Sequence, residues 1–185
     1  MAEGARLDQS DQTELLHLAR ATLQSYLSSG SVPEYHTSRQ ELRSRCGAFV
    51  SIHRGSELRG CIGQIVPDRE LFRIVQHCIV SAASEDSRFN PVTPEELDEL
   101  TIEISVLTPL HRLHEPAEIE IGIHGIYITR GINRGLLLPQ VATEYGWNRE
   151  TFLSQTCRKA GLSEDAWKDP STVINLFEAQ VFSEQ

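Results

Sequence analysis

The sequence has no long apolar run and few aromatic side chains. No segment reaches the roughly 18 consecutive apolar residues that a membrane-spanning helix needs, and the opening MAEGARLDQSDQ lacks the apolar core of a signal peptide. Only two Trp and six Phe occur among 185 residues, so aliphatic side chains must supply most of the core. We therefore expect a globular, cytoplasmic protein that does not enter a membrane.

Motifs that bind metals or phosphates are also absent. The four cysteines never show the C-x-x-C spacing of zinc ribbons and thioredoxin-like dithiols; they are Cys46, Cys61, Cys78 and Cys157. The chain has neither a G-x-x-x-x-G-K-[ST] nor a G-x-G-x-x-G loop, no H-E-x-x-H zinc motif and no G-x-S-x-G elbow. His111 and His114 are three residues apart, but HRLHEP is typical of an exposed turn. The sequence predicts no metal site and leaves the cofactor unknown.

Positive charge is scarce. The formal net charge is −9 and the pI is about 5.2, and an acidic chain repels phosphate backbones. General nucleic-acid binding is therefore not expected. Arg39, Arg43 and Arg45 form a local basic cluster, which we interpret as a solvated helix end or loop.

What the sequence does contain is a series of short periodic segments. The predicted strands are 47–53, 58–65, 100–110, 121–129, 135–139 and 171–182, and the predicted helices are 11–29, 69–82, 93–97, 140–145 and 149–160. Hairpins dominate the strand pattern, which favours a mainly antiparallel or mixed sheet. The pattern therefore predicts an α+β fold with flanking helices, and the length allows two intimate subdomains.

The most unusual strand is LRGCIG, residues 58–63. Glycine weakens a strand, so Gly60 and Gly63 leave room either for a ligand or for another backbone segment. Simple alternation places Arg59 and Cys61 on one face, with a gap beyond them at Gly63. An adjacent guanidinium favours a reactive thiolate. The alternative is a packed cysteine, because free cysteines are usually buried.

Three further groups are candidates for chemistry near Cys61. His53 precedes the turn on the neighbouring strand and could serve as a base, or could simply be a surface residue. The SEDSRF loop offers carboxylates for acid–base work and an arginine for anions; these residues are Glu85, Asp86 and Arg88. Glu103 faces away from the apolar stripe of its strand. Each pattern also fits a role in local ion pairs or solvation.

The chain also resembles a known family, the AMMECR domain proteins, whose prokaryotic members are called AmmeMemoRadiSam system protein A. The resemblance rests on LRGCIG, the EDxRF loop, ELTIEISVLTP, IGIHGI, GLLLPQVATEYGW and FLSQTCRKAGL, which occur in the family's order across residues 10–183. It implies a single domain with a larger subdomain that holds both termini, a smaller inserted subdomain, and a site in the cleft between them. Residues 1–9 are expected to be a flexible N-terminus.

The resemblance implies little about the reaction. The family's motif residues map onto Cys61 and Glu85 and onto six residues that are expected to bind a ligand: Arg59, Asp86, Arg88, Glu103, His124 and Gln140. Family members resemble one part of a three-component system whose other parts are a Memo-like protein and a radical SAM protein, and these are the expected partners. The resemblance leaves open an enzyme built around Cys61, assisted by Glu85 or His53, and a non-catalytic adaptor.

Overall fold

The computed structural model of the protein describes residues 6–184. These residues form two compact units: the first comprises residues 6–107 and 180–184, and the second comprises residues 108–179. Strands pair antiparallel in both units, and helices flank them. The predicted α+β class is confirmed. Among the described helices, none combines the length and the hydropathy that a membrane crossing requires.

The first unit contains a three-stranded sheet and two helices. Its elements are α1 (Gln9–Ser29), β1 (Ala48–Arg54), β2 (Glu57–Gln64), α2 (Leu71–Ser84), a 3₁₀ turn (Pro94–Glu99) and β3 (Leu100–Leu107). The strand order is β2-β1-β3, so β1 is central. Val50, Ile52, Ile102 and Ile104 are fully buried with the apolar sides of both helices. The opposite side of this sheet, which we call the polar face, carries Ser51 and Glu103.

Helix α1 begins earlier than the sequence predicts. Asp8 is its N-cap and exchanges hydrogen bonds with Asp11 in a capping box, whereas the predicted helix began at residue 11. Leu7 is only 2% exposed, and its N–H donates to the side chain of Gln180. Residues 7–9 therefore differ from the predicted flexible N-terminus, because burial of Leu7 and the cap hold them. Residues 1–5 of that prediction lie outside the described residues.

The basic cluster is largely neutralised within the first unit. Arg39 forms ion pairs with Asp11 and Glu14, and Arg43 pairs with Glu70. These arginines therefore stabilise local structure and do not present a strip of free positive charge, which agrees with their interpretation as a loop feature.

The second unit combines the remaining strands with two helices. Its elements are β4 (His111–Arg112), β5 (His124–Arg130), β6 (Asn133–Leu137), α3 (Pro139–Glu144), α4 (Arg149–Lys159) and β7 (Val173–Ser183), whose last residues belong to the first unit. The order is β4-β7-β5-β6. Strand β5 begins at His124, later than predicted, because Gly122 makes a turn with φ of 87°. HRLHEP is exposed except for Leu113, which is buried, and its first two residues form β4 in place of the expected turn.

Candidate functional site

A row of three side chains crosses the sheet of the first unit on its polar face. Cys61 on β2 lies opposite Ser51 on β1, and Ser51 lies opposite Glu103 on β3. The Ser51 hydroxyl donates a hydrogen bond to the Cys61 sulfur at 3.2 Å. All three residues are half-buried. We call them the Cys61 row.

The backbone geometry explains why Ser51 and Cys61 touch. The N–H of Cys61 points away from β1 and donates to Asp86. Cys61 and Ser51 therefore form the pair type that exchanges no backbone hydrogen bonds, in which facing side chains approach most closely. The strand pairing thus places a hydroxyl donor directly against the thiol.

Cys61 differs from the other three cysteines in its exposure. Cys46, Cys78 and Cys157 are at most 5% exposed, whereas Cys61 is half-buried. Burial raises the pKa of Cys78 to about 12 and also raises the pKa of Cys157. Burial thus disfavours the reactive thiolate at Cys78 and Cys157, and Cys61 is the most exposed of the four cysteines.

The two glycines beside Cys61 make room for the protein itself. A Cβ atom on Gly60 would lie 2.2 Å from the carbonyl oxygen of Ala82, so the end of α2 packs directly on the strand. A Cβ atom on Gly63 would lie 2.1 Å from the ring of Phe49 across the hairpin. The predicted gap at Gly63 is wrong, because this ring fills it. Of the two alternatives for Gly60, backbone approach is the one observed.

The predicted pairing of Arg59 with Cys61 is also wrong. Ile52 lies opposite Gly60 and His53 lies opposite Leu58, so Arg59 is the extra residue of a β-bulge. Its guanidinium donates to Glu96 at 2.8 Å and to the carbonyl of Asn90 at 2.7 Å. The ion pair is mostly buried and holds the pKa of Glu96 below its usual range. Arg59 therefore anchors the loop before β3.

The EDSRF loop closes the outer edge of β2. Asp86 is 8% exposed and accepts hydrogen bonds from the Cys61 N–H at 2.9 Å and from Arg88 at 2.6 Å. Hydrogen bonding by Arg88 holds the pKa of Asp86 well below its usual range. Arg88 also donates to the Cys61 carbonyl at 3.4 Å. Asp86 and Arg88 thus provide hydrogen-bond partners for the N–H and the carbonyl of Cys61, which point away from β1. A neighbouring strand would do the same.

The two predicted proton carriers, His53 and Glu85, are not members of the Cys61 row. His53 shares the polar face of β1 with Ser51, but two residues along a strand separate their Cα atoms by roughly 7 Å. The Nε2 atom of His53 is buried and has no hydrogen-bond partner among residues 6–184. Glu85 is exposed at the C-terminal end of α2.

His124 and Gln140 belong to the second unit. His124 begins β5, and its Nδ1 accepts a hydrogen bond from the N–H of Glu120 at 3.1 Å. Its ring faces the edge of the His111 ring, with the two ring centroids 5.7 Å apart. Gln140 is half-buried in α3. Within residues 6–184, no three His, Cys, Asp or Glu side chains converge as a metal site requires.

Sequence reasoning missed Ser51 and Glu96, which are the direct partners of Cys61 and Arg59. Alternation in GAFVSIH predicts that Ser51 lies on the polar face. It does not predict that Ser51 pairs with Cys61, because a regular hairpin that pairs Arg54 with Glu57 would place Ser51 opposite Gly60. Only the bulge brings Ser51 to Cys61.

This geometry defines a class of protein: an α+β protein of two units that carries a cysteine on a bulged β-hairpin. The AMMECR1 family model matches residues 16–182, and the chain belongs to the AMMECR1 family.

Archaeal proteins are similar over nearly the whole chain. A Thermococcus gammatolerans protein is 43% identical over 182 residues, which cover 92% of this chain and 89% of the relative. Protein MK0488 of Methanopyrus kandleri is 44% identical and covers 98% of this chain and 92% of its own length. The crystal structure of uncharacterized protein PH0010 from Pyrococcus horikoshii superposes with a TM-score of 0.87 at 38% identity, over 94% of this chain and 91% of that chain.

Proposed function

We propose that the polar face of the first unit is a thiol site, centred on Cys61, that acts on a small-molecule or peptide ligand. The observation that carries the proposal is the hydrogen bond from the Ser51 hydroxyl to a half-buried cysteine sulfur. A donor to sulfur favours the thiolate, which is the nucleophilic form. The remaining cysteines are buried and have no comparable access.

Each neighbouring side chain has a distinct role in this proposal. Cys61 is the nucleophile, and Ser51 stabilises its thiolate. Glu103 and His53 are titratable groups on the same face and are the proton carriers, with Glu85 as a further predicted carrier on the loop. Asp86 and Arg88 position the Cys61 backbone. His124 and Gln140 stay predictions as ligand-binding residues.

Selective alkylation of Cys61 is the first test. We expect iodoacetamide to label Cys61 in the folded protein at least about tenfold faster than Cys78, because burial keeps the Cys78 thiol protonated with a pKa of about 12. Peptide mass spectrometry across a pH series measures each cysteine separately, so Cys46, Cys78 and Cys157 act as internal controls. Labelling of Cys61 only after denaturation would mean that it is a packed core residue.

The hydrogen bond from Ser51 gives a second expected result. Ser51→Ala should slow labelling of Cys61 by about 3- to 10-fold at neutral pH, since one hydrogen bond to the thiolate is lost. Ser56→Ala is the matched control, because Ser56 is an exposed hydroxyl in the turn of the same hairpin. Equal rates for both variants and the wild type would show that Ser51 does not activate the thiol.

The family resemblance extends the proposal to partners. We place the protein in the AmmeMemoRadiSam system, with a Memo-like protein and a radical SAM protein as its partners. One observation favours a non-catalytic adaptor as a second candidate: Arg59 pairs with Glu96 and Asp86 pairs with Arg88, so much of the charge around Cys61 is already neutralised. Binding of either purified partner, unchanged in Cys61→Ala, supports the adaptor. Failure to bind either partner counts against it.

A further inference from the structure

A cavity of about 200 Å³ lies entirely within the second unit. Its walls come from β4 and the loop after it, from a 3₁₀ turn at Ala166–Lys168, and from the start of β7. The lining side chains on which the argument depends are Arg112, His114, Pro116, Trp167, Pro170 and Ile174. The cavity is distinct in sequence and composition from the Cys61 row.

The walls of this cavity are tied together by hydrogen bonds. The N–H of Leu113 donates to the carbonyl of Ile174 at 2.9 Å, which fixes β4 to β7. The buried hydroxyl of Thr172 donates to the carbonyl of Ala166 at 2.6 Å, and the Thr172 N–H donates to the carbonyl of Asp169 at 2.9 Å. The cavity is therefore preformed, which is typical of small-ligand sites.

Negative charge at the cavity is already compensated. The carboxylate of Asp169 pairs with Arg130 at 2.9 Å and accepts hydrogen bonds from the N–H and the hydroxyl of Ser171. Hydrogen bonding by the Ser171 N–H holds the pKa of Asp169 below its usual range. Lys168 pairs in turn with Asp165 at 2.8 Å. Among the described residues, Asp169 is the one carboxylate that lines the cavity, so a ligand that enters meets a carboxylate that is already paired.

Arg112 is an unpaired cation at the cavity. Its side chain is exposed and has no carboxylate within ion-pair distance among residues 6–184. A guanidinium matches a carboxylate in geometry and charge. His114 adds a second polar group. The complementary ligand therefore carries an anionic group that is rich in acceptors.

The remaining lining residues indicate the size and polarity of the uncharged part of the ligand. Trp167, Pro116, Pro170 and Ile174 provide flat, apolar walls. A cavity of roughly 150 Å³ accommodates benzene, so about 200 Å³ suits one ring with a carboxylate. We propose that this cavity binds a carboxylate on a small, flat apolar group, with Arg112 as the donor and the Trp167 ring as one wall. A free aromatic acid and the C-terminal carboxylate of a peptide that ends in an aromatic residue both supply this chemistry.

Indole signals in ¹H–¹⁵N spectra of the full chain test the proposal. The chain has two Trp residues, Trp147 and Trp167, so Trp147→Phe identifies the Trp167 signal. We expect benzoate to shift the Trp167 indole signal saturably, while benzamide, the neutral analogue, shifts it at least about tenfold more weakly. A hexapeptide with a C-terminal Phe carboxylate, and the same peptide with an amidated terminus, separate the two sources. A saturable shift with either acid supports the site.

Two variants show whether Arg112 supplies the charge. Arg112→Ala should weaken benzoate binding by about 10- to 100-fold, because a charge-assisted hydrogen bond is lost. Arg134→Ala should leave binding unchanged, since Arg134 is an exposed arginine of the same unit that does not line the cavity. Both side chains are exposed on strands, so both variants should fold. No shift with either acid, equal shifts with benzamide or inorganic phosphate, or unchanged affinity in Arg112→Ala would overturn the proposal.

Discussion

Gly60→Ala is expected to lower the free energy of unfolding by about 3 kcal/mol or more. The new methyl carbon would lie 2.2 Å from the carbonyl oxygen of Ala82, and that oxygen belongs to the backbone of α2. A helix backbone cannot rotate out of the way as a side chain can, so α2 or β2 must shift as a whole. Urea unfolding followed by circular dichroism measures the loss.

Gly63→Ala is the matched control for this result. Its new methyl would meet the ring of Phe49, a half-buried side chain that can move, so we expect a smaller loss of about 1 kcal/mol. Adding Phe49→Ala should relieve the clash at Gly63 and should not rescue Gly60→Ala. Equal stability of the Gly60→Ala variant and the wild type would contradict the close contact between α2 and β2.

Asp86→Ala is expected to cost about 2–3 kcal/mol of stability at neutral pH. Asp86 is buried, and its removal leaves the outward N–H of Cys61 without its acceptor and Arg88 without its ion-pair partner. Asp86→Asn keeps an acceptor for the Cys61 N–H but loses the charge, so we expect an intermediate cost. Chemical denaturation of the wild type, Asp86→Asn and Asp86→Ala at one pH measures the three free energies of unfolding, which should fall in that order.

The contribution of Asp86 should also depend on pH. The folded-state pKa of Asp86 lies below that of an unfolded aspartate, about 3.9. The stabilisation is therefore complete above pH 4–5 and is lost as pH falls below the unfolded pKa toward the folded pKa. The stability gap between the wild type and Asp86→Asn should be constant near neutrality and should narrow in acid.

Asp68→Ala is the control for the Asp86 variants, because Asp68 forms an exposed ion pair with Arg69. Solvent screens such pairs, so this variant should change stability little at any pH. A gap between the wild type and Asp86→Asn that stays constant through the acid range would show that the Asp86 charge does not stabilise the fold.

Most residues of the LRGCIG strand have a structural role. Gly60 admits the backbone of α2, Gly63 admits the Phe49 ring, and Arg59 anchors the loop through Glu96. Cys61 is different, because it is half-buried, lies outside the hydrophobic core cluster, and accepts a hydrogen bond from Ser51 at its sulfur. In the proposed function the chemistry of the strand depends on Cys61, and the surrounding motif holds its backbone in place.

Local patterns in the sequence were sufficient for most secondary structure. Alternation predicted the strands of the β1–β2 hairpin. The predicted start of α4 and end of α1 are confirmed, and Asn148 and Gly30 are the residues that cap them. Such signals come from residues within a few positions of one another, so the chain itself contains them. The start of α1 was missed because two aspartates three residues apart could each serve as the cap, and Asp8 does.

The surroundings of Cys61 depend on a single irregularity that local patterns do not contain. In a hairpin without the bulge, the pairing of Arg54 with Glu57 would continue, and Cys61 would lie opposite Val50 on the side buried against the helices. The inserted Arg59 shifts the register by one residue, and a one-residue shift moves a side chain to the other face of a sheet. Cys61 consequently lies on the polar face beside Ser51.

By itself, the sequence determined the α+β class, most helices and strands, the family, and the choice of Cys61 as the residue to examine. Only the tertiary structure decided which face Cys61 occupies and which partners the charged residues take. Arg59 pairs with Glu96, and Asp86 accepts from the Cys61 N–H, across separations of 37 and 25 residues. Strand register and close packing set such contacts, because each depends on atoms far away in the chain.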